Sequence, residues 1–228
     1  MKVFIQARMT SSRLPGKVLI NIQKEKNTLD IIVDKLKRIF FHRDIIILTS
    51  KESMDNEIAK YCSIKKINIF RGPLKNVGLR YFLALKKNST DYFMRLSADS
   101  PLIDKNIIMK LKNFKSLRKY DIVTNVCPRS FPKGQSVEII SSKVYRENFK
   151  SFKKEDLEHV TSFFYKNKKK FKIKNFKNKV NLSRKTVALD NKKDLVRIKK
   201  LFINFKNCQK YSLAKILRCM EKIRYEKN

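Results

Sequence analysis

The sequence predicts an α/β fold with a mainly parallel, mixed sheet and helices on both faces. Its first half alternates short, continuous apolar runs with segments of helical periodicity. Continuous apolar runs are typical of strands buried on both faces, and the strand-helix-strand repeat favours parallel pairing. With 228 residues, 42% of them hydrophobic, the chain can bury a substantial core. We predict a single domain over 1–228, with a small irregular lobe or lid inserted around 126–180.

Strands and helices alternate regularly up to about residue 124. The predicted strands are 3–6, 45–49, 67–70, 92–96 and 121–124. The first helix is indicated by apolar residues from Leu29 to Phe40 at i, i+3, i+4, i+7 spacing, with Thr28 as its N-cap. Further helices are predicted near 54–62, 76–87 and 105–116. Together they supply the two helical layers of the fold.

The second half is less regular because Pro128, Pro132 and Gly134 interrupt the pattern. A strand is predicted at 137–140, and further strands are predicted at 171–176 and 185–189. Helices are predicted at 142–149, 155–168, 192–205 and 212–224. Asn191 is the expected N-cap of the third of these, with Asp194 three residues later as its capping-box partner.

The charge is strongly positive: 55 Lys and Arg against 20 Asp and Glu, a formal net charge of +35. One interpretation is a nucleic-acid or anionic partner. The other is compositional drift, because the excess is spread along the chain and accompanies abundant Ile, Asn and Phe. The most basic stretch, 166–185, has ten Lys or Arg and no acid. Its Phe171 and Ile173 alternate as in a strand with one basic face.

Cysteine spacing and hydropathy narrow the class of protein. Cys62, Cys127, Cys208 and Cys219 are far apart and lack metal-ligand spacing, so we expect free thiols. No apolar run approaches the ~20 residues that span a bilayer, and the apolar start is too short for a signal peptide. The sequence therefore predicts a cytoplasmic protein.

The stretch 6–19, QARMTSSRLPGKVL, directly follows the first predicted strand. Its cations are Arg8, Arg13 and Lys17, and small or turn-forming residues separate them. A loop with cations, hydroxyls and a glycine suits an oligophosphate, so we predict a nucleotide triphosphate site. It is not a Walker loop, since Val18 stands where a hydroxyl is required. On charge alone, a solvated basic loop remains the alternative.

Polar residues follow the other strands at the same edge of the predicted sheet. Thr49 and Ser50 follow the second strand, Arg71 and Gly72 the third, and Asp99 the fourth. Carboxyl ends of parallel strands line one crevice, so these residues should share a site with the basic loop. Asp190 also follows an apolar run, and two carboxylates facing a phosphate loop suit Mg²⁺. As alternatives, Asp99 could start a turn and Asp190 could precede a helix cap.

Six motifs resemble one enzyme family in order and spacing. They are QARMTSSRLPGKVL, FRGPLKNVGLRY, RLSADSPLID, PRSFPKGQSVEI, LEHVTSFF and TVALDNKKDL. This pattern resembles the cytidylyltransferases of the spore-coat polysaccharide biosynthesis type, relatives of the acylneuraminate and 3-deoxy-octulosonate cytidylyltransferases. The resemblance covers roughly residues 2–203. It implies a Rossmann-like nucleotide-diphospho-sugar transferase fold and a homodimer. It also implies CTP-dependent conversion of an acidic sugar or a related acceptor to its CMP conjugate, for surface polysaccharide or glycoconjugate synthesis.

The resemblance also implies residue roles. The nucleotide-binding positions are Arg8, Ser11, Ser12, Arg13, Lys17 and Arg71. The catalytic positions are Arg8, Lys17 and Asp99, and the Mg²⁺ ligands are Asp99 and Asp190. The acceptor-binding positions are Arg129, Glu138, Glu158 and His159.

The chain departs from the family pattern at two acidic positions. Asn76 replaces an Asp before Val77, and Ser136 replaces the Asp of the pattern Pro-x-Gly-x-Asp-Val-Glu that ends at Glu138. The second change affects the segment expected to line the acceptor pocket and leaves the acceptor open. Two alternatives remain: a nucleotidyltransferase of the same fold with another base or acceptor, such as a sugar phosphate or phosphonate, and an RNA-binding protein that uses the positive charge.

Overall fold

The structure is a computed structural model that describes residues 1–225. Its strands are β1 (Lys2–Gln6), β2 (Asn21–Gln23), β3 (Lys26–Asn27), β4 (Ile45–Ser50), β5 (Asn68–Gly72), β6 (Tyr92–Ser97), β7 (Ile122–Thr124), β8 (Glu138–Ser141) and β9 (Ile173–Asn175). Its helices are α1 (Thr28–Leu36), α2 (Asn56–Ile64), α3 (Val77–Lys87), α4 (Lys105–Lys112), α5 (Ser142–Asn148), α6 (Ser162–Lys166), α7 (Lys192–Asn204) and α8 (Leu213–Tyr225).

A seven-stranded sheet in the order β5-β4-β1-β6-β8-β7-β9 forms the centre of the fold. Strands β5, β4, β1 and β6 are parallel, whereas β8 runs antiparallel to both β6 and β7. This arrangement confirms the predicted α/β class with a mainly parallel, mixed sheet. Strand β1 lies between β4 and β6, so the loop after it opens at the middle of the sheet edge.

Alternate side chains of each strand enter different apolar layers. Val3 and Ile5 of β1 pack in the layer that contains the buried residues of α1, α2 and α4. Phe4 packs in the opposite layer with Tyr81 of α3, where Tyr145 of α5 also lies. A third cluster joins α7 and α8 to the loop after β1. Both faces of the sheet are therefore covered, as the continuous apolar strands require.

Several predicted elements differ in the structure. The N-cap of α1 is Asn27 rather than Thr28, because the Asn27 side chain accepts a hydrogen bond from Asp30 N at 2.9 Å. The predicted helix 155–168 is wrong in extent: a 3₁₀ turn spans Lys154–Asp156, and α6 is short. Asp156 holds this break, since its carboxylate binds Ser162 Oγ at 2.8 Å and Lys166 Nζ at 2.9 Å.

The predicted strand 185–189 does not form; a single bridge pairs Thr186 with Lys133. The β2-β3 hairpin was not predicted. By contrast, the cap of α7 is confirmed, since Asn191 accepts a hydrogen bond from Asp194 N at 3.0 Å. Within the described residues, no helix is both long and apolar enough to cross a membrane. The single-domain organisation and the lobe around 126–180 stay predictions.

Lys35 on α1 provides a pH test of the packing. It is only 8% exposed, its ammonium donates to the carbonyls of Pro101 and Ile103, and burial lowers its pKa to about 8, against the opposing effect of Asp104. Between pH 8 and 10.5 the unfolded chain binds the extra proton, so folding stability should rise with pH there. We expect the wild type to gain up to about 3 kcal/mol relative to Lys35→Met across this window.

Urea unfolding of both proteins at several pH values measures this gain. The matched control is Lys37→Met, at an exposed position two residues away on the same helix end. Its difference from the wild type should stay constant with pH. A pH-independent difference for Lys35→Met would contradict the perturbed ammonium.

Candidate active site

A polar cavity of about 200 Å³ opens at the carboxyl ends of β1 and β6. Seven of the predicted site residues line it: Arg8, Ser11, Ser12, Arg13, Lys17, Asp99 and Asp190. Gln6, Val18 and Ser97 complete the lining. Residues up to 184 positions apart in sequence thus converge on one cavity, with three cations and two carboxylates around it.

The loop after β1 is folded onto itself by its own backbone. Met9 O accepts hydrogen bonds from Ser11 N and Gly16 N, each at 2.9 Å. Gly16 closes the turn with φ +69°, a conformation that favours glycine. This closure brings Arg8, Arg13 and Lys17 to the same side of the sheet edge.

Asp55 anchors the start of the loop, a role that the sequence analysis missed. It is fully buried, and its carboxylate accepts hydrogen bonds from Met9 N at 2.7 Å, from Ser50 N at 3.0 Å and from the Ser50 hydroxyl. Burial is the largest influence and raises the pKa of Asp55, but these hydrogen bonds together hold that pKa below its usual value. Asp55 therefore joins the end of β4 to the loop as a carboxylate.

Asp55→Asn is expected to lower the free energy of unfolding by about 3 kcal/mol. An amide has one acceptor oxygen, so its NH₂ group would face a backbone N–H of either Met9 or Ser50. Urea unfolding measures the loss. Asp44→Asn is the matched control, because Asp44 accepts from Lys2 Nζ at 2.8 Å near the surface and should lose no more than about 1 kcal/mol. Equal losses in the two variants would contradict the anchoring role.

Lys17 connects the two carboxylates of the cavity. Its Nζ lies 3.3 Å from both Asp99 Oδ2 and Asp190 Oδ1, and the residue is 9% exposed. Arg13 Nη2 lies 2.7 Å from Asp190 Oδ2 on the solvent side. The backbone fixes the pair as well, because Leu189 N donates to Asp99 O at 2.8 Å. Asp99 and Asp190 therefore face the same ammonium.

The segment before Asp190 reaches the cavity by a close backbone crossing. Lys133 N donates to Lys185 O at 3.0 Å, and Val187 N donates to Lys133 O at 2.8 Å. Gly134 has φ +90°, and a Cβ there would lie 2.6 Å from Ala188 N. Only glycine fits here, because the backbones at Gly134 and Ala188 pass so close to each other. The segment thus reaches Asp99 without forming a regular strand.

Arg71 lies at the end of β5, outside the lining of this cavity. Its Nε donates to Ser50 O at 2.8 Å and its Nη2 donates to Glu52 O at 3.1 Å. The guanidinium thus lies beside the end of β4, where Thr49 and Ser50 are also located. Its role toward the nucleotide stays a prediction.

The four predicted acceptor residues do not share the cavity. Glu138 is 2% exposed and binds Arg95 in an ion pair. Burial raises the pKa of Glu138 most, but Arg95 and the hydroxyls of Tyr165 and Thr161 hold it below its usual value. Arg129 is half-buried and donates to Ser136 Oγ at 3.0 Å.

Glu158 and His159 are exposed in the turn before α6. Burial lowers the pKa of Arg129, and the nearby carboxylate of Glu138 partly offsets this effect. The structure therefore brings Arg129 and Glu138 near each other and leaves Glu158 and His159 on the surface. Their roles toward an acceptor stay predictions.

The mainly parallel sheet, with a polar cavity at the carboxyl ends of its strands, is the arrangement of a nucleotide-binding α/β protein. The particular group follows from a family model described as cytidylyltransferase, which matches residues 3–228. The chain belongs to this family.

Two relatives show the extent of the similarity. An uncharacterized protein from Methanocaldococcus jannaschii is 32% identical over 170 residues, which cover 74% of this chain and 68% of the relative. The spore coat polysaccharide biosynthesis protein SpsF from Bacillus subtilis is 24% identical over 208 residues, which cover 87% of this chain and 84% of SpsF. Both alignments span most of either protein.

Solved structures agree in fold. A cytidylyltransferase from Leptospira borgpetersenii serovar Hardjo-bovis superposes with a TM-score of 0.90 at 25% identity and covers 98% of this chain and 94% of its own. A CMP:2-keto-3-deoxy-manno-octonic acid synthetase complexed with CTP superposes with a TM-score of 0.66 at 13% identity, covering 89% and 98%. The second likeness supports the Rossmann-like fold alone.

Proposed function

We propose that this protein is a CTP-dependent cytidylyltransferase that converts an acidic sugar to its CMP conjugate and releases pyrophosphate, for surface polysaccharide or glycoconjugate synthesis. The observation that carries the proposal is the single cavity where Arg8, Arg13 and Lys17 surround Asp99 and Asp190. Membership of the cytidylyltransferase family supports CTP as the donor. The name of the relative SpsF supports the polysaccharide context.

In the proposed reaction, an acceptor oxygen attacks the α-phosphorus of CTP. The new oxygen–phosphorus bond forms as the bond to the pyrophosphate oxygen breaks, and the proton of the acceptor hydroxyl passes to solvent water. Arg8, Arg13 and Lys17 would hold the β- and γ-phosphates and stabilise the negative charge on the leaving pyrophosphate. The hydroxyls of Ser11 and Ser12 would bind phosphate oxygens in the same loop. Such transfers depend mostly on positioning and charge stabilisation.

The residues of the cavity fit a divalent cation such as Mg²⁺. Asp99 and Asp190 supply two hard oxygen ligands that face one ammonium, and Mg²⁺ takes only one or two protein carboxylates beside phosphate and water oxygens. When bound there, the ion would neutralise charge on the nucleotide phosphates. Within the described residues, no three or more His, Cys, Asp or Glu side chains come together as a metal site, so an ion held by Asp99 and Asp190 would take its other ligands from phosphate and water.

Arg129 supports an acidic acceptor. Its Nη1 binds the neutral hydroxyl of Ser136, at the position where the family pattern has an Asp. The nearby Glu138 is already paired with Arg95. Among residues 1–225, no carboxylate forms an ion pair with Arg129, so its positive charge suits the carboxylate of an acceptor.

Pyrophosphate release tests the proposal directly. The purified protein with Mg²⁺ is assayed with CTP, UTP, ATP and GTP against acidic sugars, neutral sugars, sugar phosphates and small phosphonates. We expect release with CTP and an acidic sugar and little with the other nucleotides. Preference for a different nucleotide, or for a sugar phosphate or phosphonate, would contradict the donor or the acceptor assignment respectively. Light scattering separately tests the homodimer, which stays a prediction.

A further inference from the structure

A buried network of polar side chains crosses the sheet next to the cavity lined by Arg8, Lys17 and Asp99, which we call the donor cavity. Arg95 of β6 and Glu138 of β8 lie directly opposite each other in the antiparallel register and form an ion pair. Glu138 Oε1 also accepts hydrogen bonds from Thr161 Oγ1 at 2.8 Å and Tyr165 Oη at 2.6 Å. Glu138 is 2% exposed, so these three side chains surround its carboxylate and it serves to hold Arg95.

The other end of Arg95 reaches the donor cavity. Arg95 Nη2 lies 3.3 Å from the side chain of Gln6, the last residue of β1 and part of the cavity lining. A guanidinium only donates hydrogen bonds, so the Gln6 atom that it contacts is the carbonyl oxygen Oε1. This contact fixes the orientation of the amide, so its Nε2, on a partly exposed side chain that lines the cavity, is left without an acceptor among the described residues.

We infer that Gln6 Nε2 donates a hydrogen bond to a phosphate oxygen of the bound nucleotide, and that Arg95, held by Glu138, is the positioning residue that aims it. This inference rests on the proposed function. It adds Gln6 as a substrate-contacting residue and gives Glu138 a role other than contact with the acceptor.

The location of Gln6 favours a phosphate oxygen as its acceptor. Gln6 immediately precedes the loop that carries Arg8, and it pairs in register with Ser97, two residues before Asp99. The three cations of the cavity already define an oligophosphate site, and an amide N–H adds a directional donor to it. The donor nucleotide is the substrate whose phosphates would lie in that space.

The same network links the donor cavity to the segment around α6. Thr161 and Tyr165 both belong to that segment, and Tyr165 Oη also lies 3.1 Å from Thr124 Oγ1 of β7. Docking of this segment therefore stabilises Glu138, which holds Arg95, which orients Gln6. A change near the predicted acceptor residues Glu158 and His159 can in this way reach the nucleotide site.

Isothermal titration of CTP into Gln6 variants tests the contact. Gln6→Glu keeps an acceptor for Arg95 but replaces the donor with a negative oxygen, so its dissociation constant for CTP should rise about tenfold or more. Gln6→Met loses the donor without adding charge and should show a smaller rise, about threefold to tenfold. Gln23→Glu makes the same chemical change on β2, outside the donor cavity, and should stay within about twofold of the wild type.

A double-mutant cycle with Arg95→Lys tests the positioning role. A lysine ammonium can stay with Glu138 but lacks the planar fork that also reaches Gln6. Arg95→Lys should therefore weaken CTP binding about as much as Gln6→Met, and the double variant should be no weaker than either single variant. If Arg95 has only a structural role, Arg95→Lys should lower the melting temperature. Its effect on CTP binding should then multiply with the effect of Gln6→Met in the double variant.

The outcomes are distinguishable. If the wild type binds CTP and Gln6→Glu binds it equally well, the inference is wrong and the proposed function still stands. Multiplying effects in the cycle overturn the positioning role. A wild-type protein that binds no CTP overturns the proposed function and this inference with it. If Arg95→Lys does not fold, the Gln6 variants still decide whether Gln6 contacts the nucleotide.

Discussion

Asp99→Asn is expected to leave the protein folded and to lower turnover about a hundredfold or more. The substitution is nearly isosteric, and Asp99 O still accepts the hydrogen bond from Leu189 N at 2.8 Å. What changes is the charge: an amide is a weaker ligand for a divalent cation, and its neutral carbonyl attracts the ammonium of Lys17, 3.3 Å from Asp99 Oδ2, more weakly than a carboxylate does. Both effects disturb the site where charge develops during phosphoryl transfer.

The measurement is pyrophosphate release at saturating CTP, with thermal unfolding as the check on the fold. Asp34→Asn is the matched control, since Asp34 forms an exposed pair with Lys26 at 2.6 Å on α1, away from the cavity. It should keep normal turnover. A near-normal rate in Asp99→Asn would rule out the metal-ligand assignment.

The features that could be predicted are those encoded locally. Continuous apolar runs predicted β1 and β4 because a strand buried on both faces needs apolar residues at every position. The basic loop was predictable because strand-end position and residue chemistry agree, and the structure places Arg8, Arg13 and Lys17 around one cavity. The cap of α7 was predictable from the spacing of Asn191 and Asp194 alone.

The features that could not be predicted depend on long-range contacts. Asp55 bonds to Met9 across 46 residues, and its own neighbourhood resembles an ordinary helix start. The segment 185–189 has the apolar pattern of a strand, but its crossing with Gly134 replaces a ladder with a single bridge. Family position suggested Glu138 as an acceptor residue, whereas its burial and its pairing with Arg95 appear only once β6 and β8 are adjacent.

Lys17→Met is expected to raise the dissociation constant for CTP about tenfold or more while changing the KM of the acceptor little. Methionine can fill the space of the buried aliphatic part of Lys17, so packing is retained. The ammonium, however, is the cation that both Asp99 and Asp190 face at 3.3 Å. Without the ammonium, the negative charges of Asp99 and Asp190 are less compensated and repel the triphosphate more strongly. One contact to a phosphate is also lost.

Isothermal titration of CTP measures the first effect, and acceptor KM is measured at CTP concentrations above the dissociation constant of the variant. Lys26→Met provides the comparison, because Lys26 is exposed and pairs with Asp34 outside the cavity. Loss of the same charge there should leave CTP binding unchanged, which separates a local contact from the general attraction of a +35 protein for anions. If both variants weaken CTP binding equally, the general field of the protein, and not the loop after β1, attracts the nucleotide.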